Sequence, residues 1–94
     1  MLFAIYCLDK AGHGALRAAN RAAHLDYLRA NEAHIIVVGP LLDDSGENPI
    51  GSLLVMDFES RAAAEDFAKG DPYDKAGLFE SVAIRPWRKV FPAD

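Results

Sequence analysis

The chain has 94 residues and a formal net charge of −4, which allows one modest core and excludes the basic face that nucleic acid demands. With 51% apolar and 26% charged residues it has the mix of a soluble globular chain, not of a disordered or membrane-embedded one. Its one cysteine, Cys7, excludes an internal disulfide and makes a reducing cytoplasm the expected compartment.

The opening "MLFAIYCLD", residues 1–9, is aromatic and branched and predicts a first strand. Its apolar run has no basic lead and no small-residue cleavage site, and it is too short to span a membrane. "KAGHG" is a loop, with two glycines in five residues. "ALRAANRAAHLDYLRANEA" is rich in alanine, leucine and arginine and free of proline and glycine, which predicts a helix over 14–32. "HIIVVGPLL", 34–42, carries four consecutive branched residues and reads as a second strand. "DDSGENP" is a turn, and "IGSLLVMDFE", 50–59, a third strand. Ser60 as N-cap and Gly70 as the C′ residue bound a second helix at 61–69. "SVAIRPWRKVF", 81–91, is a fourth strand, and Pro86 inside it fits an edge or a bulge.

The order β-α-β-β-α-β is the split βαβ pattern of an α+β, ferredoxin-like domain, here a single domain over 1–94. Right-handed crossovers put both helices on one face of a four-stranded antiparallel sheet. A small core gains stability by association, and a second copy is the economical cover for the other face. The expected assembly is therefore a homodimer, a dimeric α+β barrel.

His24 shares a helical flank with Arg21, three residues before it, and Leu28, four after; Arg17 extends that flank by a further four. It reads either as a half-buried histidine of an amphipathic helix or as a general acid or base. In "GDPYD", 70–74, Asp71 is the N-cap of a further helical turn, with Pro72 at N1 and Asp74 at N3. Capping alone accounts for Asp71. The topology, however, brings Asp71, Gly39, Pro40 and Ser52 towards the sheet end where the first helix begins, and a carboxylate there would orient the imidazole of His24. Arg21 or Arg17 could attract an anionic or phenolate ligand. Tyr6, Tyr27, Tyr73 and Trp87 are either pocket walls for a flat organic molecule or core. His13, His24 and His34 lack zinc-ligand spacing, so no metal is expected, and Cys7 reads as a buried structural thiol. There is no phosphate loop and no dinucleotide fingerprint.

Taken together in this order, "RAAHLDYL", "GP", "GS", "DPY…AGLF" and "IRPW" resemble the YciI-like family (YCII-related domain), from the first strand to the tryptophan near the end. The resemblance implies a ferredoxin-like α+β fold, usually dimeric, with no required metal or cofactor. It matches His24 and Asp71 to the family's acid/base dyad, Gly39 and Pro40 to its glycine-proline after the second strand, and Ser52 to its third-strand serine. A biodegradative branch of the family dehydrochlorinates chlorinated hydroxyquinols, a lyase reaction. The expected function is thus cofactor-free, lyase-type chemistry by His24 and Asp71 on a small aromatic or phenolic molecule, bound among Arg21, Gly39, Pro40, Ser52 and Tyr73. The alternative is a non-catalytic binding or sensor module using the same cleft.

Overall fold

Along β1 (Leu2–Asp9), Phe3, Ile5 and Cys7 are buried while Tyr6 is exposed, the period of two that a sheet with one covered face imposes. The computed structural model describes residues 1–93. After β1 come α1 (Gly14–Ala30), a 3₁₀ turn (Glu32–His34), β2 (Ile35–Leu42), β3 (Pro49–Asp57), α2 (Arg61–Gly70), a short α3 (Pro72–Lys75) and β4 (Phe79–Trp87). The strands form one antiparallel sheet in the order β2-β3-β1-β4. This is the expected ferredoxin-like α+β fold.

Register sets the core. Ile5 lies opposite Leu54 of β3 and Ile84 of β4, and directly opposed residues of antiparallel strands share a face. Those three pack with Phe3, Met56 and Phe58 against Ala64, Phe67 and Ala68 of α2, and Tyr27 and Leu28 of α1 close the margin. The other face has no covering element: Tyr6 and its partner Leu53 remain exposed, as do Val37 opposite Val55 and Trp87 opposite Leu2. Among the described residues no helix is long and apolar enough to cross a membrane.

Several boundaries differ from the sequence expectation, each for a tertiary reason. The helix expected to reach residue 32 ends at Ala30, where the Asn31 side chain donates to the Tyr27 carbonyl and its backbone N–H to Leu28. His34 therefore belongs to the 3₁₀ turn and not to β2, and its ring stacks on Phe58 at 4.8 Å. β4 begins at Phe79, opposite Asp9, and stops at Trp87 because Trp87 already faces Leu2, where β1 itself begins. Pro86 sits on this edge strand, opposite Phe3, where one donor can be spared.

Ser60 caps α2 as expected, accepting from the Ala63 N–H at 3.1 Å. Gly70 is not the left-handed C′ residue; it is the last residue of α2, and the positive-φ glycines are Gly12, Gly46 and Gly77. What requires glycine there is close approach, since a Cβ at Gly70 would run into the Tyr27 hydroxyl.

Candidate functional site

The flank of α1 marked by Arg17, Arg21, His24 and Leu28 faces a cavity of about 270 Å³. Val38, Gly39 and Pro40 of β2, Pro49 and Ser52 of β3, and Tyr73 of α3 supply the other walls. Arg21, Gly39, Pro40, Ser52 and Tyr73 thus all line the cavity that His24 faces, and Asp71 lies behind His24, only 2% exposed.

Asp71 is placed by its local sequence. It ends α2 in extended conformation, Pro72 starts α3 without needing a donor, and Asp71 Oδ1 accepts the Tyr73 N–H at 2.9 Å. The same oxygen lies 2.8 Å from His24 Nδ1. Capping and histidine contact are therefore not alternatives, because one carboxylate oxygen does both. A carboxylate only accepts, so Nδ1 carries the shared proton and the neutral ring keeps its lone pair on Nε2. Among the described residues no buried side-chain nitrogen or oxygen lacks a partner. Nε2 has no protein partner, so it reaches the open space of the cavity.

A second buried pair lies beside the first. Arg17 Nε donates to Asp9 Oδ2 at 2.6 Å, and Nη2 donates to Asp9 Oδ1 at 3.1 Å and to Ser52 Oγ at 2.9 Å. Burial alone would lower the guanidinium's pKa, but the hydrogen bond to Asp9 and its charge outweigh that and leave it raised. The Tyr73 ring touches both systems: it stacks on His24 with centroids 4.0 Å apart, and the Arg17 guanidinium lies 4.5 Å from its centroid. Burial raises the Tyr73 hydroxyl against the lowering influence of Arg17 and Arg21, which keeps it a neutral O–H.

Several groups fall outside this site. Tyr6 and Trp87 are on the uncovered sheet face, and the Tyr27 hydroxyl donates to the Phe67 carbonyl at 2.8 Å, so none of these three is a pocket wall. Cys7 is buried, and burial first, then the charge of Asp71, pushes its thiol up to about 12. It stays protonated and structural. Among the described residues no three histidine, cysteine or acidic side chains gather as metal ligands.

Sequence reasoning missed Asp9 entirely. It ends one element and Arg17 lies in the next, so no helical or strand period links them. It also missed the apolar walls Leu25, Val38 and Pro49. Leu25 at least had a signal, being four residues beyond Arg21 on the same helix.

Fold and site together describe a small α+β domain whose buried imidazole–carboxylate pair opens on a single cavity wall. The chain belongs to the YCII-related domain family, whose model matches residues 1–88. It is 37% identical over 98 residues to Protein YciI of Escherichia coli O6:H1, covering 97% of this chain and 100% of that one. It also resembles the solved structure of TftG, the 5-chloro-2-hydroxyhydroquinone dehydrochlorinase of Burkholderia phenoliruptrix AC1100, in complex with 2,5-dihydroxybenzoquinone. That match has a TM-score of 0.90 and 38% identity over 100% of both chains. PA3566 of Pseudomonas aeruginosa matches at a TM-score of 0.55 with 15% identity, over 95% of this chain and 92% of that one, and shares the fold alone.

Proposed function

We propose that this chain is a lyase-type enzyme that eliminates HX from a small hydroxylated aromatic molecule, with His24 as general base and Asp71 as its positioning partner. The observation that carries this reading is the 2.8 Å contact of His24 Nδ1 with buried Asp71, which fixes the tautomer and turns Nε2 to the cavity. The full-length likeness to a dehydrochlorinase supports the choice of elimination. In that step the substrate reacts as its keto tautomer, in which the carbon bearing X is tetrahedral; Nε2 takes a proton from it, and the electron pair left behind becomes the new π bond. X⁻ departs with the pair of its own bond. Asp71 stabilises the imidazolium until the proton passes to solvent. The reaction is redox-neutral, and the reading assigns it no cofactor and no metal. Gly39, Pro40 and the Tyr73 ring would hold the flat substrate, with Arg21 beside them.

The test is chloride release from 5-chloro-2-hydroxyhydroquinone. Wild type is expected to release chloride, and His24→Ala to abolish release while the circular dichroism spectrum is unchanged. Full turnover by His24→Ala would defeat the mechanism. A wild type that binds the compound and returns it unchanged would make the cleft a binding or sensor module instead.

We also propose a homodimer, built on the uncovered face that exposes Tyr6, Leu53, Val37 and Trp87, working in a reducing cytoplasm. Light scattering at micromolar concentration should give twice the chain mass, and a monomer there would remove the proposal.

A further inference from the structure

The cavity has two guanidinium groups, and they are not equivalent. Arg17 and Arg21 lie one helical turn apart on α1, and both line the wall beside His24. Arg17 is paired: two of its hydrogen bonds go to Asp9 and one to Ser52, so its charge is already balanced within the fold by the Asp9 carboxylate. Arg21 is left out of all five ion pairs among the described residues, and none of their side-chain hydrogen bonds uses it. Its charge is felt inside the site nonetheless, since it acts on the Tyr73 hydroxyl together with Arg17. The two buried carboxylates of the site are both engaged, Asp71 by His24 and the Tyr73 N–H and Asp9 by Arg17.

We propose that Arg21 is the anion-recognising residue of this cavity, so that the substrate enters with one ring oxygen already ionised, an enolate or phenolate that Arg21 holds while His24 faces the reacting proton. The inference rests on the elimination reading and deepens it by naming the charge state of the substrate. Three residues on a helix bring Cβ atoms to within about 5–6 Å, which suits a single ring presenting a charged oxygen to Arg21 and its reacting position to His24. The apolar walls Leu25, Leu28 and Val38 line the same cavity as Arg21, so a ring whose charged oxygen meets the guanidinium can lay its apolar faces against them. Assigning Arg21 and not Arg17 follows from the ion pairs: the Arg17 charge is already balanced by Asp9, and that of Arg21 is not.

The experiment is calorimetric titration of wild type, Arg21→Met, Arg21→Lys and His24→Ala with 2,5-dihydroxybenzoquinone, which is ionised at neutral pH, and with hydroquinone, which is not. Wild type is expected to prefer the anionic probe. Arg21→Met should weaken it by about 10- to 100-fold, the range for hydrogen bonds to a charged group, and leave hydroquinone within twofold. Arg21→Lys should recover part of the loss, and added salt should weaken wild type more than Arg21→Met. Arg21 is exposed, so its replacement leaves the core intact. No preference for the anionic probe in wild type, no binding of either probe, or an Arg21→Met loss under twofold would each overturn the assignment. His24→Ala separates the two claims. If it binds the anionic probe normally but releases no chloride, the base reading stands whatever Arg21 does. If it keeps full turnover while Arg21→Met loses the anionic probe, only the base reading falls.

Discussion

Two buried charge pairs sit side by side on α1, and they differ in what they leave unused. Arg17 meets Asp9 from the end of β1, and its hydrogen bonds to Asp9 and Ser52 tie helix to sheet. His24 meets Asp71 from the α2–α3 junction through one nitrogen and leaves the other facing the cavity. A guanidinium held through Nε and Nη2 by a carboxylate and a hydroxyl positions structure and keeps its proton at any working pH. An imidazole held at one edge is oriented and still able to accept a proton. Similar burial and similar charge thus yield a strut in one case and a candidate base in the other, and the lone pair left on Nε2, which a guanidinium lacks, makes the difference.

The largest expected effect comes from Asp71→Asn. The change keeps an oxygen for the Tyr73 N–H but removes the charge that fixes His24. Turnover of a confirmed substrate should fall by at least about 100-fold, as when a histidine loses its tautomer-setting carboxylate. Imidazole ¹⁵N shifts should show mixed tautomers while the urea midpoint moves little. Retained turnover would erase the functional side of the contrast. The structural side is broken by Asp9→Asn, which leaves Arg17 buried without a counter-charge. A loss of about 3–5 kcal/mol in urea unfolding is expected, and Asp9→Leu with Arg17→Met together should recover most of it. If Asp9→Asn is neutral, the pair is no strut.

The elements were largely legible before the structure, because their signals are local. Asp71 and Pro72 read as a cap and a helix start from adjacent residues alone. The α1 flank read from spacing, and its four marked residues do line one cavity. Gly70 shows where such reading stops. Its position suggested left-handed backbone, but the reason for glycine is the hydroxyl of Tyr27, more than forty residues earlier. Gly70→Ala should therefore cost about 1–3 kcal/mol by crowding. Added to Tyr27→Phe, which clears the space, it should cost clearly less than alone. Strict additivity would mean that the hydroxyl is not what Gly70 makes room for.

A surface carboxylate provides the smallest and sharpest control for the two buried pairs. Asp43 accepts from Ser45 and Asn48 in the β2–β3 turn, and these hydrogen bonds lower its carboxyl from 3.8 to about 2. Its folded value lies below its unfolded one, so its contribution is present above 3.8 and lost as pH falls towards about 2. Asp43→Ala should lower stability slightly at neutral pH and flatten its fall across that acid window, so that the two proteins converge near pH 2, as melting temperatures against pH would show. An unchanged acid limb would mean that this exposed network adds nothing measurable.

What the sequence by itself determined is the set of elements, the cap at Asp71 and the stripe of Arg17, Arg21, His24 and Leu28, because propensity, capping and helical period act over a few residues. Tertiary structure decided which of two apolar faces of "LFAIYCL" is core. Both faces carry apolar side chains, so only pairing with β3 and β4 under α2 buries Phe3, Ile5 and Cys7 and leaves Tyr6 outside. It also decided that Asp9 would hold Arg17 and that Asp71 would reach His24, 47 residues away. Side chains from separate elements meet only where packing sets those elements, and no local rule carries that distance.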